Sequence, residues 1–115
     1  MAENKLAVLS MSFAVDVVKL CNNSSTNRTL TNQLLRSGTS IGANIHEAKY
    51  AHSKADFIAK LQISLKECYE TEYWLELLYQ TGFLEQSQHT ALMNQCGSIR
   101  RILIASINTA KKSRE

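Results

Sequence analysis

Apolar residues recur along this chain at spacings of three and four, the period of one face of an α-helix. Leu6, Leu9, Phe13, Val17 and Leu20 form the first stripe, and Met11, Val15 and Val18 widen it well beyond a narrow seam. The run from Asn22 to Asn27 (NNSSTN) is a polar loop whose side chains compete for backbone hydrogen bonds. A second stripe follows in Leu30, Leu34, Ile41, Ile45 and Ala48. Ser53 with Asp56 three residues later resembles a capping box, with Asp in the acidic place, and sets the start of a third helix. Phe57, Leu61, Leu65, Cys68, Leu75 and Leu78 mark the core face of that helix. It is the longest of the four, and at 1.5 Å per residue it reaches roughly 40 Å. Gly82 followed by Phe83 is a stop signal, with Gly in the left-handed turn and Phe over the last turn. A fourth stripe holds Leu92, Cys96, Ile99, Leu103 and Ala110, with Met93, Ile102 and Ile104 beside it. The pattern predicts helices at about 5–22, 28–50, 53–81 and 86–111. Short joints between long helices make neighbours antiparallel, so the expected fold is an all-α, antiparallel up-down four-helix bundle in a single domain, 1–115.

Composition narrows the alternatives. A length of 115 residues suits one domain. Four Gly and no Pro leave too few breakers for a turn-rich β-sandwich or barrel, and a 44% hydrophobic share excludes a disordered chain. Thirteen Lys and Arg against ten Asp and Glu give +3, a mild charge that does not by itself imply nucleic acid. Cys21, Cys68 and Cys96 are odd in number and form no C-x-x-C pair, which suits free thiols in a reducing cytoplasm. The apolar start after Lys5 lacks the marks of a signal peptide: Glu3 acidifies it, Asp16 closes it, and no A-x-A site follows. No charge-free stretch approaches the roughly 18 residues of a membrane span, so a cytoplasmic protein without a membrane partner is expected.

Catalytic constellations come up short. None of His46, His52 and His89 has a Glu three residues before it, as a di-iron bundle requires. His46-Glu47 opens an H-E-x-x-H look-alike, yet Tyr50 stands where the second His belongs. Gly38 and Gly42 fit no phosphate-binding loop, and there is no G-x-S-x-G elbow. No enzyme activity, metal or cofactor is expected. Gly38-Thr39-Ser40-Ile41-Gly42 is instead a small-x-x-x-small stretch. Each Gly costs about 1 kcal/mol of helix stability, which a closely approaching helix would offset; a kink or break in the helix is the alternative.

Glu67, Glu70, Glu72 and Glu76 form an acidic stretch interleaved with Tyr69, Tyr73 and Trp74. Its basic counterpart is the end of the fourth helix: Arg100, Arg101, Lys111, Lys112 and Arg114. In a hairpin turning near residue 83, Glu67 falls opposite Arg100, and Glu70 to Glu76 face the uncharged residues 91–97. Most of these acids are therefore expected to lack a partner on the fourth helix. Acids of one copy meeting bases of the next would be a heterologous contact, with Glu70, Tyr73 and Glu76 as candidate subunit-interface residues. The bases are the candidate RNA or DNA contacts.

Two segments carry a resemblance. LLRSGTSIGANIHEA (34–48), then SKADFIAKLQISLKECYETEYWLELL (53–78) and TGFL (81–84), resemble the bacterial four-helix-bundle family also called the 23S rRNA intervening-sequence protein family. The shared signature is Ser40, Ile41, Asn44, Ile45 and Glu47, then Asp56, Phe57, Leu61 and Glu67, with Trp74 and Leu75 near the helix end. Gly42 stands where many members have Pro and others Gly, and Ala48 where many have Gly. The resemblance implies an up-down bundle assembling as a homopentameric ring without catalytic activity. A similar fold serves as the nucleic-acid-binding accessory protein of diversity-generating retroelements. Expected partners are therefore further copies of the chain, with RNA, DNA or another protein as alternatives.

Overall fold

The computed structural model describes residues 2–23 and 27–113. Four α-helices make it up, with no strand among the described residues: α1 (Ala2–Asn22), α2 (Arg28–Ala48), α3 (Lys54–Gln80) and α4 (Gln86–Lys112). The first begins a full turn earlier than the apolar stripe indicates.

Local chemistry sets the boundaries. Asn27 caps α2, its Oδ1 accepting from the Thr29 and Leu30 backbone N–H groups at 2.9 and 3.3 Å. The end of α2 tightens into i→i−3 bonds, Lys49 N to His46 O and Tyr50 N to Glu47 O. These end the regular helix at Ala48 rather than near residue 50. Ser53 caps α3, its Oγ accepting from Asp56 N at 3.0 Å. Gly82, at φ +85°, ends α3 in a Schellman motif, with Phe83 N bonded to Leu78 O at 2.9 Å and Gly82 N to Tyr79 O at 3.1 Å. The residue that covers this turn is Leu84, which is buried, and not Phe83, which is exposed. Closing the motif turns residue 83 outward and the next one in.

Each helix packs on two neighbours, α1 on α2 and α4, and α3 on α2 and α4; α1 and α3 lie diagonally across the core. Paired residue numbers run in opposite directions between neighbours. Ser64 meets Ile41 where Thr71 meets Ser37, and Gly42 lies against Ser10 where Gly38 lies against Val17. That order is compatible with the up-down arrangement. The core is built from Leu6, Phe13 and Val17 of α1, Leu34, Ile41 and Ile45 of α2, Leu61, Cys68, Leu75 and Leu78 of α3, and Leu92, Cys96, Ile99, Leu103 and Ile107 of α4.

The α2 glycines are accounted for by close approach. A Cβ at Gly38 would lie 3.2 Å from Val17 Cγ1, and one at Gly42 3.3 Å from Ser10 Oγ. The helix runs unbroken through both. Asn44 Nδ2 donates to Ser40 O, four residues back within α2, at 2.9 Å.

A polar layer lies inside this core, between α2 and α3. Thr71 Oγ1 donates to Ser37 Oγ at 2.9 Å, and Ser64 Oγ to Ile41 O at 2.8 Å, with all three hydroxyl residues fully buried. Satisfied pairs of this kind fix the register of two helices that apolar packing alone leaves free to slide.

Candidate functional site

The acidic stretch is spoken for within the chain. Arg36 of α2 reaches both Glu67, at 3.5 Å, and Glu70. Glu70 also accepts from Trp74 Nε1 at 2.9 Å. Glu72 pairs with Arg100 at 3.0 Å, and Glu76 with His89 at 2.9 Å. The expectation that Arg100 opposes Glu67, and that most of the acids lack a partner on the fourth helix, is therefore corrected. Side chains lean toward the N-terminus of their own helix. On antiparallel neighbours Arg100 and Glu72 thus lean toward one level, that of Cys68 and Cys96, where Cys96 Sγ donates to Cys68 O at 3.5 Å. Glu67 turns the other way, to α2. The Arg36 partnership was legible in principle, because residues 36 and 67 lie about equally far from the joint at 51–53.

These contacts perturb several groups. Hydrogen bonds from Gln80 and His89 hold the Glu76 carboxyl below its usual range. The Glu72 hydrogen bond raises Arg100. The bond to Cys68, then burial, pushes the Cys96 thiol far up, and burial raises Cys21. None of this poises a proton donor or thiolate nucleophile toward a cavity.

The basic candidates are scattered. Arg100 is half-buried on Glu72. Arg101 is exposed and donates to Ser98 Oγ at 3.4 Å, while Lys111 and Lys112 lie exposed about 16 Å further along α4. Arg114 lies outside the described residues. A fourth exposed base, Lys54 at the start of α3, is bonded to the backbone of Ser113 and joins Lys111 and Lys112 at that end of the bundle.

Some signature residues fill the core between α2 and α3 or join the two helices, and others bond within their own helix or face α1. Ile41, Ile45, Leu61 and Leu75 are buried, and Phe57 packs against them. Ser40 Oγ donates to Arg36 O at 2.8 Å, and Glu47 accepts from Lys60 at 2.9 Å, raising the lysine. Asp56 starts α3 and receives His52 at 3.3 Å. Gly42 admits α1. His46 and Tyr50 meet edge-on, 5.4 Å between ring centroids, on the outside of α2. No group of three or more possible metal ligands exists among the described residues, nor a helix long and apolar enough to cross a membrane.

A row of exposed aliphatic residues lies on α1. Val8 is 68% exposed, Met11 65%, Val15 42% and Val18 37%. Met11, Val15 and Val18 therefore do not widen the buried stripe; they lie on the opposite side of the helix. Two residues of helix turn about 200°, so Met11 and Val15 point away from Phe13 and Val17. Beside this row a groove of about 520 Å³ runs between α1 and α2, floored by Ala7, Ser10, Ala14 and Gly42, with Met11 and His46 also lining it. Its walls are chiefly apolar, and what it can do chemically is bind apolar surface.

Comparisons with known proteins accord with this architecture. A crystal structure of a protein of unknown function from the S23 ribosomal protein family of Bacteroides thetaiotaomicron is 45% identical, with a TM-score of 0.89 over 94% of this chain and 99% of that one. No curated protein matches the chain. Residues 2–105 match the 23S rRNA-intervening sequence protein family over nearly the whole length, and the chain belongs to that family.

Proposed function

We propose that the chain is a non-enzymatic cytoplasmic scaffold, an antiparallel up-down four-helix bundle whose copies assemble into a ring, of five in keeping with the resemblance. The observation that carries this reading is the outward face of α1, where four aliphatic side chains stand in one row facing water. Scattered exposed apolar residues are ordinary, whereas a continuous row marks a surface covered by a partner.

A second reading, an RNA- or DNA-binding ring, is favoured by one observation, the gathering of exposed Lys54, Lys111 and Lys112 at one end of the bundle. Repeated around a ring, that end becomes a positive rim for phosphate. Arg100 takes no part in it, being committed to Glu72.

Light scattering on a sizing column, read at protein and nucleic-acid wavelengths, tests both. A mass that is a multiple of 12.9 kDa supports the scaffold, and 12.9 kDa alone overturns it. Nucleic acid that co-elutes and dissociates steeply with salt supports the second reading. Unchanged binding after Lys54, Lys111 and Lys112 are neutralised overturns it.

A further inference from the structure

Val8, Met11, Val15 and Val18 follow a 3-4-3 spacing, the rhythm of a seam that packs against another helix. A second outward ridge lies on α3, where Tyr73 is 61% and Tyr69 51% exposed, one helical turn apart. The helices bearing the two faces are diagonal in the bundle, each packed on α2 and α4. The faces therefore lie on different sides of the bundle, and no single copy can cover one with the other.

We propose that the α1 face of one copy receives the α3 ridge of the next, a contact that rests on the self-assembly reading and specifies its surfaces. Three features favour this pairing over α1 meeting a second α1. Shape is one: small residues of α1 and α2 leave a concave groove beside the seam, and two tyrosines that stand out from α3 are convex. Charge is another. Lys5 and Lys19 bracket the α1 row, whereas Glu70 and Glu76, their side chains still 36% and 45% exposed despite their ion pairs, flank the α3 tyrosines and outnumber the exposed Lys66 one turn before Tyr69. Area is the third. A symmetric α1 contact offers four aliphatic side chains along roughly 15 Å of helix, a small part of the ~800 Å² per partner that a stable interface buries. Bringing in Tyr69 and Tyr73 adds about 100 Å² of exposed aromatic surface from each. Aromatic residues of this kind dominate interface energetics. Because the joined faces differ, the contact is heterologous; every copy has one face of each kind to offer, and the chain of contacts ends only on closing into a ring.

Complementation between two variants reads this directly. Met11→Lys blocks the α1 face and Tyr73→Lys the α3 ridge; both positions are exposed, and circular dichroism verifies that each variant keeps its helices. Each variant alone should fall to 12.9 kDa by light scattering. An equal mixture should form a pair of twice that mass, since one unblocked α1 face and one unblocked α3 ridge remain to meet. If Tyr73→Lys keeps the wild-type mass, α1 meets something other than α3, and the proposal is overturned. A mixture that stays at 12.9 kDa overturns it too. Wild-type protein at 12.9 kDa would instead remove the self-assembly reading itself, whereas an assembled wild type that neither variant disturbs removes only this contact.

Discussion

Removing one hydroxyl from the buried Ser37–Thr71 pair should cost more than removing both. The two oxygens are 2.9 Å apart, and both residues are fully buried. Ser37→Ala strands the Thr71 hydroxyl, a donor with no water to turn to, at about 1–3 kcal/mol. The better helix propensity of Ala returns about 0.5 kcal/mol, leaving a net loss of roughly 1–2 kcal/mol. Thr71→Val replaces the hydroxyl by a methyl of similar shape. Ser37 Oγ keeps its weak 3.5 Å bond to Leu34 O, so the loss is about 0.5–1.5 kcal/mol. With both hydroxyls gone nothing is stranded, and the double variant should lose only about 0–1 kcal/mol. The cycle therefore predicts a coupling of roughly 1–2 kcal/mol. Urea unfolding of the four proteins measures it, at one fixed protein concentration because assembly would otherwise contribute. Additive losses, equal within about 0.3 kcal/mol, would refute the idea that this hydrogen bond couples α2 to α3.

Gly82→Ala should destabilise the protein by about 1–2 kcal/mol in the same assay, because φ is +85° there and a Cβ is strained even though no neighbour lies within 4 Å. Acid should weaken the α3–α4 contact through Glu76. Its carboxyl is held below the ordinary range, so its contribution is complete above the unfolded-state pKa and is lost as pH falls through the lowered folded value. Thermal melts of wild type and Glu76→Gln should differ at neutral pH and converge in acid; a gap that widens in acid would contradict this. Alkylation of the folded protein should modify the half-buried Cys21 ahead of Cys68 and Cys96, which are buried, and peptide mapping by mass spectrometry identifies the order.

What the sequence made legible is what short-range chemistry controls. Ser53 and Gly82 announce the two ends of α3 because a cap and a left-handed turn each depend on a few neighbouring atoms. The α3 stripe was visible through Leu61, Cys68, Leu75 and Leu78, while Ser64 and Thr71, which continue the same 3-4 rhythm, escaped notice as hydroxyl residues. Ser10 did so on α1. Charge pairing was the weak point. Assigning Glu67 to Arg100 needs only a count from the turn, but the true partners follow from which side of α3 each carboxylate occupies and which way each side chain leans. The α1 face was present in the sequence as apolar excess, and it became a surface only once Phe13 and Val17 fixed which side of the helix is buried.

Native mass spectrometry of the untagged chain measures self-assembly directly. The expected result is a closed species at an integer multiple of 12.9 kDa, five copies in the proposed ring, stable on dilution. A chain found only at 12.9 kDa across the accessible concentration range would contradict it, and the apolar face of α1 would then belong to a different partner.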